Sequence, residues 1–323
     1  MLTYVARRLA LALTTTAAVV TITFALVRAA PGEPLLAGAD ERFVPPETTA
    51  RLRERFGLDR PVAVQFVRYV ANLAHGDLGE SFARHRPVAA VLRDALPNTL
   101  LLGLVALLVS FALGLGIGVV QAVRAGTWTD AALGGAALAF YSVPAFWLGL
   151  MLLLVFGEWL HWLPATGMID PTVHGSLSAA GRALDVARHM ILPALTLALV
   201  NGAAVARFHR AAMIEALGAD FVRAARARGL GEGRVVLRHA LRSALAPAIT
   251  LAGLSVPALL TGSVLVESVF GWPGMGRVAY EAIFSRDYNV IAAVAVVSGV
   301  LVALGNLAAD IGVAAADPRV RRR

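Results

Sequence analysis

Six long stretches of this chain contain no Asp, Glu, Lys or Arg, and they constrain its fold more than any other feature. They are residues 9–27, 95–123, 131–157, 189–206, 243–266 and 288–309. A hydrocarbon core about 30 Å thick needs roughly 20 apolar residues in helical form. Helices are required because lipid cannot satisfy backbone polar groups, and a barrel would show alternation instead. The pattern predicts an all-α polytopic membrane protein with six transmembrane helices.

Composition excludes several kinds of functional site: a chain without cysteine has no disulfides, no thiolate metal site and no cysteine nucleophile. The chain is 58% hydrophobic and 15% charged, against about 25% charged residues in ordinary soluble domains. It has no cysteine, and every one of its 29 basic residues is arginine. A Walker A loop needs a lysine, so any ATP hydrolysis must occur on another subunit. Neither Gly-x-Ser-x-Gly nor His-Glu-x-x-His occurs, which argues against an intramembrane enzyme. We therefore expect no catalytic residues, no bound cofactor and no metal.

Arginine placement predicts the orientation of the chain in the membrane. Arg7 and Arg8 precede the first apolar stretch, residues 207–242 carry eight arginines against three acids, and residues 319–323 carry four more. With six spans these segments fall on one side, and short arginine-rich loops stay in the cytoplasm. The loop at residues 28–94 also contains arginines, but loops longer than about 60 residues translocate largely regardless of charge. Both termini are therefore expected to be cytoplasmic.

The spans divide the chain into three parts. Residues 1–28 hold an N-terminal segment and the first transmembrane helix, residues 29–94 form an external loop, and residues 95–323 form a five-helix core with a cytoplasmic loop at 211–242. The first span could instead be a cleaved signal peptide. Its apolar run is longer than the 7–15 residues of most signal peptides, which favours a retained helix.

Two helices are expected in the external loop. Residues 47–60 have helical composition, and residues 61–73 place valines three apart beside Phe66 and Tyr69. This second pattern is typical of an amphipathic helix lying on the membrane or at the pore mouth. Within the spans, Gly114, Gly116 and Gly118 predict close helix packing, since small residues let helices approach each other in lipid.

The cytoplasmic segment at residues 211–246 predicts a helix, a sharp turn and a second short helix. The fourth span continues with helical spacing, and Gly218 would permit a left-handed helix end. Asp220 is a candidate N-cap for a short helix at residues 221–228, which Gly229 would close. Glu232 then stands in the first turn of a third helix that leads into the fifth span.

The short helix carries alternating arginines and alanines. Arg223, Arg226 and Arg228 lie on it. As a positive-inside loop it would hold the orientation of the chain. Nucleic-acid binding is disfavoured because the loop is tethered close to the bilayer at both ends. The third interpretation is a docking element, in which small alanines permit close approach and arginines pair with acidic groups of a partner.

The same segment resembles a loop shared by ABC importer permeases. Arg223-Ala224-Ala225-Arg226-Ala227-Arg228-Gly229 is similar to their pattern of Glu-Ala-Ala, three residues and Gly, with arginine in place of the glutamate. That departure, and the run at residues 238–242, resemble the dipeptide/oligopeptide branch of the family. Further matches follow in order along nearly the whole chain: Arg7-Arg8, Ala30-Pro31-Gly32, Phe56-Gly57-Leu58-Asp59, Gly76-Asp77-Leu78-Gly79, Ser142-Val143-Pro144, Arg286-Asp287-Tyr288 and Asp317-Pro318-Arg319.

This resemblance implies the type I ABC importer permease fold in the bacterial inner membrane. The chain would form half of a translocation path for di- and oligopeptides, and nickel or glutathione would suit the same architecture. Implied partners are a second related permease, two ATPase subunits carrying ATP and magnesium, an external solute-binding protein and membrane lipid. The resemblance assigns ATPase docking to Asp220, Phe221, Arg223, Ala224, Ala225, Arg226, Arg228 and Gly229.

Polar residues are scarce within the spans. Asn201 either makes an interhelical hydrogen bond or lines the path, and Asn306, Asp310 and Glu267 lie near span ends. Glu267 is expected to be an interfacial charge or to pair with an arginine. A stand-alone secondary transporter usually binds its substrate and coupling ion near the bilayer midplane. The scarcity of carboxylates there disfavours that alternative.

Overall fold

The computed structural model describes residues 2–29 and 60–316, and these are helical almost throughout. The α-helices, numbered as described, are α1 Leu2–Ala29, α2 Val62–Ala74, α3 Val88–Val123, α4 Trp128–Ser142, α5 Ala145–Leu152, α6 Ala179–Gly218, α7 Asp220–Ala227, α8 Glu232–Arg234, α9 Leu241–Gly262, α10 Val264–Val269, α11 Met275–Phe284 and α12 Tyr288–Ala316. π-Helical turns follow α5 at Leu153–Trp159 and α8 at Val235–Ala240, and a 3-10 turn occupies His174–Ser176. The short strands β1 Glu80–Ser81 and β2 Arg86–Pro87 pair antiparallel.

The described chain supplies four continuous helices that are long and apolar enough to cross a membrane, or six if each of two bent pairs is one span. The predicted helical membrane protein is therefore confirmed, but its third span is not straight. The chain bends by 106° between α4 and the helix that begins at Ala145. Val143 is extended (φ −84°, ψ 133°) and Pro144 follows it. Proline disfavours helical geometry at the preceding residue, so the sequence itself breaks this helix.

The chain divides into two units, one of which contains residues up to Thr99 and residues 273–304. Its apolar core joins the start of α3 to α11 and α12, through Val88, Leu92, Met275, Val278 and Val290. A buried carboxylate fixes the strand connection at residues 80–87 to this core. The Asp287 carboxylate accepts hydrogen bonds from the Ser81 hydroxyl at 2.6 Å and the Ala83 N–H at 3.1 Å.

The amphipathic helix predicted at residues 61–73 is confirmed as α2. Its Phe66 and Tyr69 rings pack on Phe24 of α1, with ring centroids 5.3 and 5.6 Å apart. Val67 and Val70 are exposed on another side of the helix. The helix predicted at residues 47–60 falls outside the described residues, apart from Arg60.

In the second unit, whose described residues are 100–272 and 305–316, α3 and α6 approach each other through glycines. A Cβ added at Gly114 would lie 2.6 Å from the Val205 Cβ and 2.8 Å from the Gly202 carbonyl oxygen. A Cβ at Gly118 would lie 2.9 Å from the Ala206 oxygen. Close packing is therefore confirmed at these two glycines. At Gly116 the prediction of close packing is wrong within the described chain, because none of its atoms lies within 4 Å of a Cβ added there.

This difference gives a matched pair of substitutions. Gly114→Ala should separate α3 from α6 and lower thermal stability, although alanine raises intrinsic helix propensity by about 1 kcal/mol. Gly116→Ala should leave stability unchanged or raise it slightly. Thermal unfolding of the purified variants in detergent measures both effects, and equal melting temperatures would contradict the close contact.

Candidate functional site

The predicted docking segment begins where α6 ends. α6 runs as one helix to Gly218, and Ala219 is extended (φ −73°, ψ 153°) before α7 starts. The chain therefore turns at Ala219, and the expectation of a left-handed Gly218 is wrong. Ala219 also occupies the N-cap position, so Asp220 is not the N-cap. Asp220 is instead the first residue of α7, where a negative charge interacts favourably with the helix dipole.

Gly229 ends α7 as the sequence predicted. Its φ is +75°, a conformation that glycine adopts without a Cβ penalty. The Gly229 N–H donates to the Arg226 oxygen at 2.9 Å, and the Leu230 N–H donates to the Ala225 oxygen at 3.4 Å. These two bonds form the Schellman arrangement that satisfies the last carbonyls of a helix. Glu232 then begins α8, which is also confirmed.

One face of α7 packs against its own chain. Val222 is fully buried and Ala225 is 5% exposed. Both belong to an apolar cluster that includes Met213 of α6 and Val235 and Ala240 of the following turn. Ala225 was predicted to contact the ATPase, but its side chain belongs to this inner packing. The cluster attaches α7 to the end of α6, so the short helix is held at a defined place.

The opposite face of α7 is exposed. Apart from Ala225, every predicted docking residue within the helix lies on this exposed face. Arg228 and Gly229, which follow the helix, are exposed as well. The exposed set is Asp220, Phe221, Arg223, Ala224, Arg226, Arg228 and Gly229. Seven of the eight predicted docking residues are therefore exposed, on α7 or directly after it.

The three arginines of this face differ in their partners. Arg223 pairs with Asp220, and Arg226 pairs with Glu232 at 2.7 Å between Nε and Oε1. The Arg226 guanidinium donates to the Glu232 carboxylate, and this hydrogen bond raises the pKa of the guanidinium, which stays charged. Among the described residues, no acidic side chain pairs with Arg228. Arg228 is thus the cation of this face that is left for another molecule.

The attachment of α7 can be tested by placing a charge on its inner face. Val222→Asp would bury an unpaired carboxylate, which costs about 2–4 kcal/mol of local stability. Hydrogen exchange at residues 219–229 should become about 100-fold faster. Ala224→Asp, on the exposed face of the same helix, should leave exchange near that of the parent. Equal exchange in both variants would show that α7 does not rest on Val222.

A second polar arrangement lies at the start of α4 and was not predicted from the sequence. Asp130 is buried, and its carboxylate accepts two hydrogen bonds from Arg210 of α6, at 2.7 and 2.8 Å. The Gly126 N–H donates to it at 3.1 Å, and the Gln121 amide donates at 3.3 Å. This network fixes the α3–α4 turn to α6 two turns before α6 ends. The sequence does place Asp130 just before one predicted span and Arg210 just after another. Because the two residues are 80 positions apart, the sequence alone did not indicate that they pair.

Two polar residues of the predicted spans, Asn201 and Glu267, lie in surroundings that the sequence did not predict. The Asn201 amide donates to the Leu197 oxygen of its own helix at 2.8 Å, and its side chain is exposed. It makes no interhelical hydrogen bond within the described chain, so a role in lining the path remains a prediction. Glu267 is fully buried rather than interfacial, and the Ser263 hydroxyl donates to it at 2.8 Å. Within the described residues no group of three potential metal ligands occurs.

Two family models match the chain. The model of the binding-protein-dependent transport system inner membrane component matches residues 114–322. The model of the N-terminal part of the same membrane component matches residues 1–103. The chain therefore belongs to the family of inner membrane components of binding-protein-dependent transport systems, and it is a multi-pass protein of the inner membrane.

Relatives match over essentially their whole length. The di/tripeptide transport system permease protein DppB of Pseudomonas aeruginosa is 41% identical over 335 residues, covering all of both chains. The dipeptide transport system permease protein DppB of Escherichia coli K12 is 36% identical over 343 residues, again covering both chains fully. The oligopeptide transport system permease protein AppB of Bacillus subtilis is 36% identical over 321 residues and 99% of each chain.

Proposed function

We propose that this chain is the permease subunit of an ATP-driven importer of di- and oligopeptides. It forms half of the translocation path, and a second related permease forms the other half. Two ATPase subunits, which carry the ATP and magnesium, bind beneath it, and an external solute-binding protein delivers the peptide. The full-length relatives, whose names describe peptide permeases, support the substrate class.

The observation that carries the docking role is the division of α7 into two faces. Val222 and Ala225 attach the helix to its own chain, while Phe221, Ala224 and Arg228 remain accessible. An aromatic side chain, a small residue and an unpaired cation suit insertion into a groove with an acidic rim. We assign this groove to the ATPase subunit, so α7 lies on the cytoplasmic side. With six spans, both termini then lie in the cytoplasm as well.

α6 would convey movement of α7 into the membrane. It has 40 residues, which corresponds to about 60 Å of helix and exceeds the thickness of a bilayer. At its cytoplasmic end, α6 holds α7 through the apolar cluster that contains Met213 and Val222. Arg210 of α6 also binds Asp130 and so fixes α6 to α4. Closure of the ATPases on ATP would move α7, and α6 would shift as a rigid body relative to its neighbours. Such rigid-body shifts between packed arrangements are a common basis of switching.

Arg228→Glu tests the docking assignment. Reversing the unpaired cation should weaken ATPase binding about tenfold, which corresponds to about 1.4 kcal/mol. ATP-dependent uptake should fall with it, while the amount of inserted protein stays unchanged. Co-purification of the ATPase subunits with the permease measures binding, and uptake in proteoliposomes measures coupling.

Arg234→Glu is the matched control, because Arg234 is an exposed arginine of the same loop that lies outside α7. It should retain ATPase subunits at the parent level. Parent-level retention by Arg228→Glu as well would overturn the assignment of α7. Arg226→Glu is a less clean test, since it also brings a second carboxylate next to Glu232.

The substrate class can be tested with the complete importer in proteoliposomes. With binding protein, ATPase subunits and ATP present, a labelled dipeptide should accumulate, and excess unlabelled di- or tripeptide should compete. Nickel ion and glutathione should not compete. Competition by either would move the assignment to that substrate, and accumulation without the ATPase subunits would indicate a secondary transporter.

A further inference from the structure

A cleft of about 570 Å³ lies between α4 and α6, inside the unit that contains both helices. It does not involve the exposed face of α7. One end of the cleft is polar and the rest is apolar. Arg207 and Arg210 line the polar end together with Asp130, and the opposite end is lined by Leu138 and Tyr141. Because the lining changes from charged to apolar side chains along a single cleft, an amphipathic molecule would match it.

The polar end has a surplus of positive charge. The Asp130 carboxylate is occupied by Arg210, the Gly126 N–H and the Gln121 amide. Arg207 is exposed, and within the described part of the chain it has no ion pair. The end therefore offers a cation to an anionic group, while its one carboxylate is already bound.

Measured along α4, the cleft has about the length of one lipid leaflet. Asp130 and Tyr141 are eleven residues apart on α4, which corresponds to about 16 Å at about 1.5 Å per residue. Half of a hydrocarbon core about 30 Å thick is about 15 Å. Ala203, Ala204 and Phe208 of α6 form the facing wall. The polar end also lies at a span boundary, since Arg207 follows one charge-free stretch and Asp130 precedes another.

We propose that this cleft binds an anionic phospholipid, with the phosphate headgroup at Arg207 and one acyl chain along α4 toward Tyr141. Basic pockets between transmembrane helices on the cytoplasmic side are suited to anionic headgroups. The orientation of the chain decides only which leaflet supplies the lipid. The site does not depend on peptide being the substrate.

A peptide fits the cleft less well. A zwitterionic peptide needs an acceptor for its ammonium group as well as a donor for its carboxylate. Asp130, which lines the polar end, already accepts four hydrogen bonds from three residues of the chain itself. The same argument disfavours phosphatidylethanolamine, whose headgroup is also zwitterionic. The cleft should therefore select phosphatidylglycerol or cardiolipin.

Lipid that remains bound to the purified importer complex tests the proposal. Phospholipids extracted from the complex in mild detergent are quantified by mass spectrometry per mole of this chain. The parent should retain phosphatidylglycerol in preference to phosphatidylethanolamine. Arg207→Gln should lower the retained phosphatidylglycerol about fivefold, as expected for one arginine worth about 1 kcal/mol. Arg242→Gln, an arginine near the start of α9 that does not line the cleft, should retain the parent amount.

A second variant changes the shape of the cleft and keeps its charge. Ala204→Phe should fill the apolar part and also reduce the retained phosphatidylglycerol. Parent-level phosphatidylglycerol in both Arg207→Gln and Ala204→Phe would overturn the proposal, as would equal retention of phosphatidylethanolamine by the parent.

Photocrosslinking identifies the occupant without relying on purification. A benzophenone amino acid at position 141, in native membranes, should capture phospholipid acyl chains, and this capture should fall in the Arg207→Gln background. Capture of a transported peptide instead of lipid would show that the cleft belongs to the translocation path and would overturn the assignment.

Discussion

The close approach of α3 and α6 is the contact on which the described functional features depend. At Gly114 and Gly118 a single added Cβ would come within 3 Å of α6, so the two helices meet nearly backbone to backbone. Lipid provides no hydrophobic driving force between helices, and their association depends on such close packing. α6 in turn carries α7 at its C-terminal end and forms one wall of the polar cleft.

Arg210 links these two features. It binds Asp130 at the polar end of the cleft, and it lies on α6 one turn before Met213, which packs with α7. A displacement of α7 would therefore reach the α3–α4 turn by a short path of packed and hydrogen-bonded groups. The bent helix pair at the position of the predicted third span begins at the same place, since α4 runs from this turn to the bend at Pro144. A lipid in the cleft would lie along the helix that leads to this bend.

Local chemistry made much of this architecture predictable. Charge-free stretches predicted the apolar helices because an isolated backbone in lipid has few alternatives. Gly229 predicted the end of α7 because its positive φ suits a residue without a side chain. Gly218 and Asp220 were misassigned, since an extended Ala219 can make the same turn without a left-handed residue or a side-chain cap.

The sequence by itself determined that this is a helical membrane protein, where its apolar segments lie, and that an arginine-bearing helix ends at Gly229. Those features depend on residues close together in the chain. Only the tertiary structure decided that Ala225 faces inward and that Asp130 meets Arg210. It also decided that, among the described residues, Arg223 and Arg226 have acidic partners and Arg228 has none. Side-chain pairing and burial depend on which helices become neighbours, and residues 80 positions apart carry no local signal of their contact.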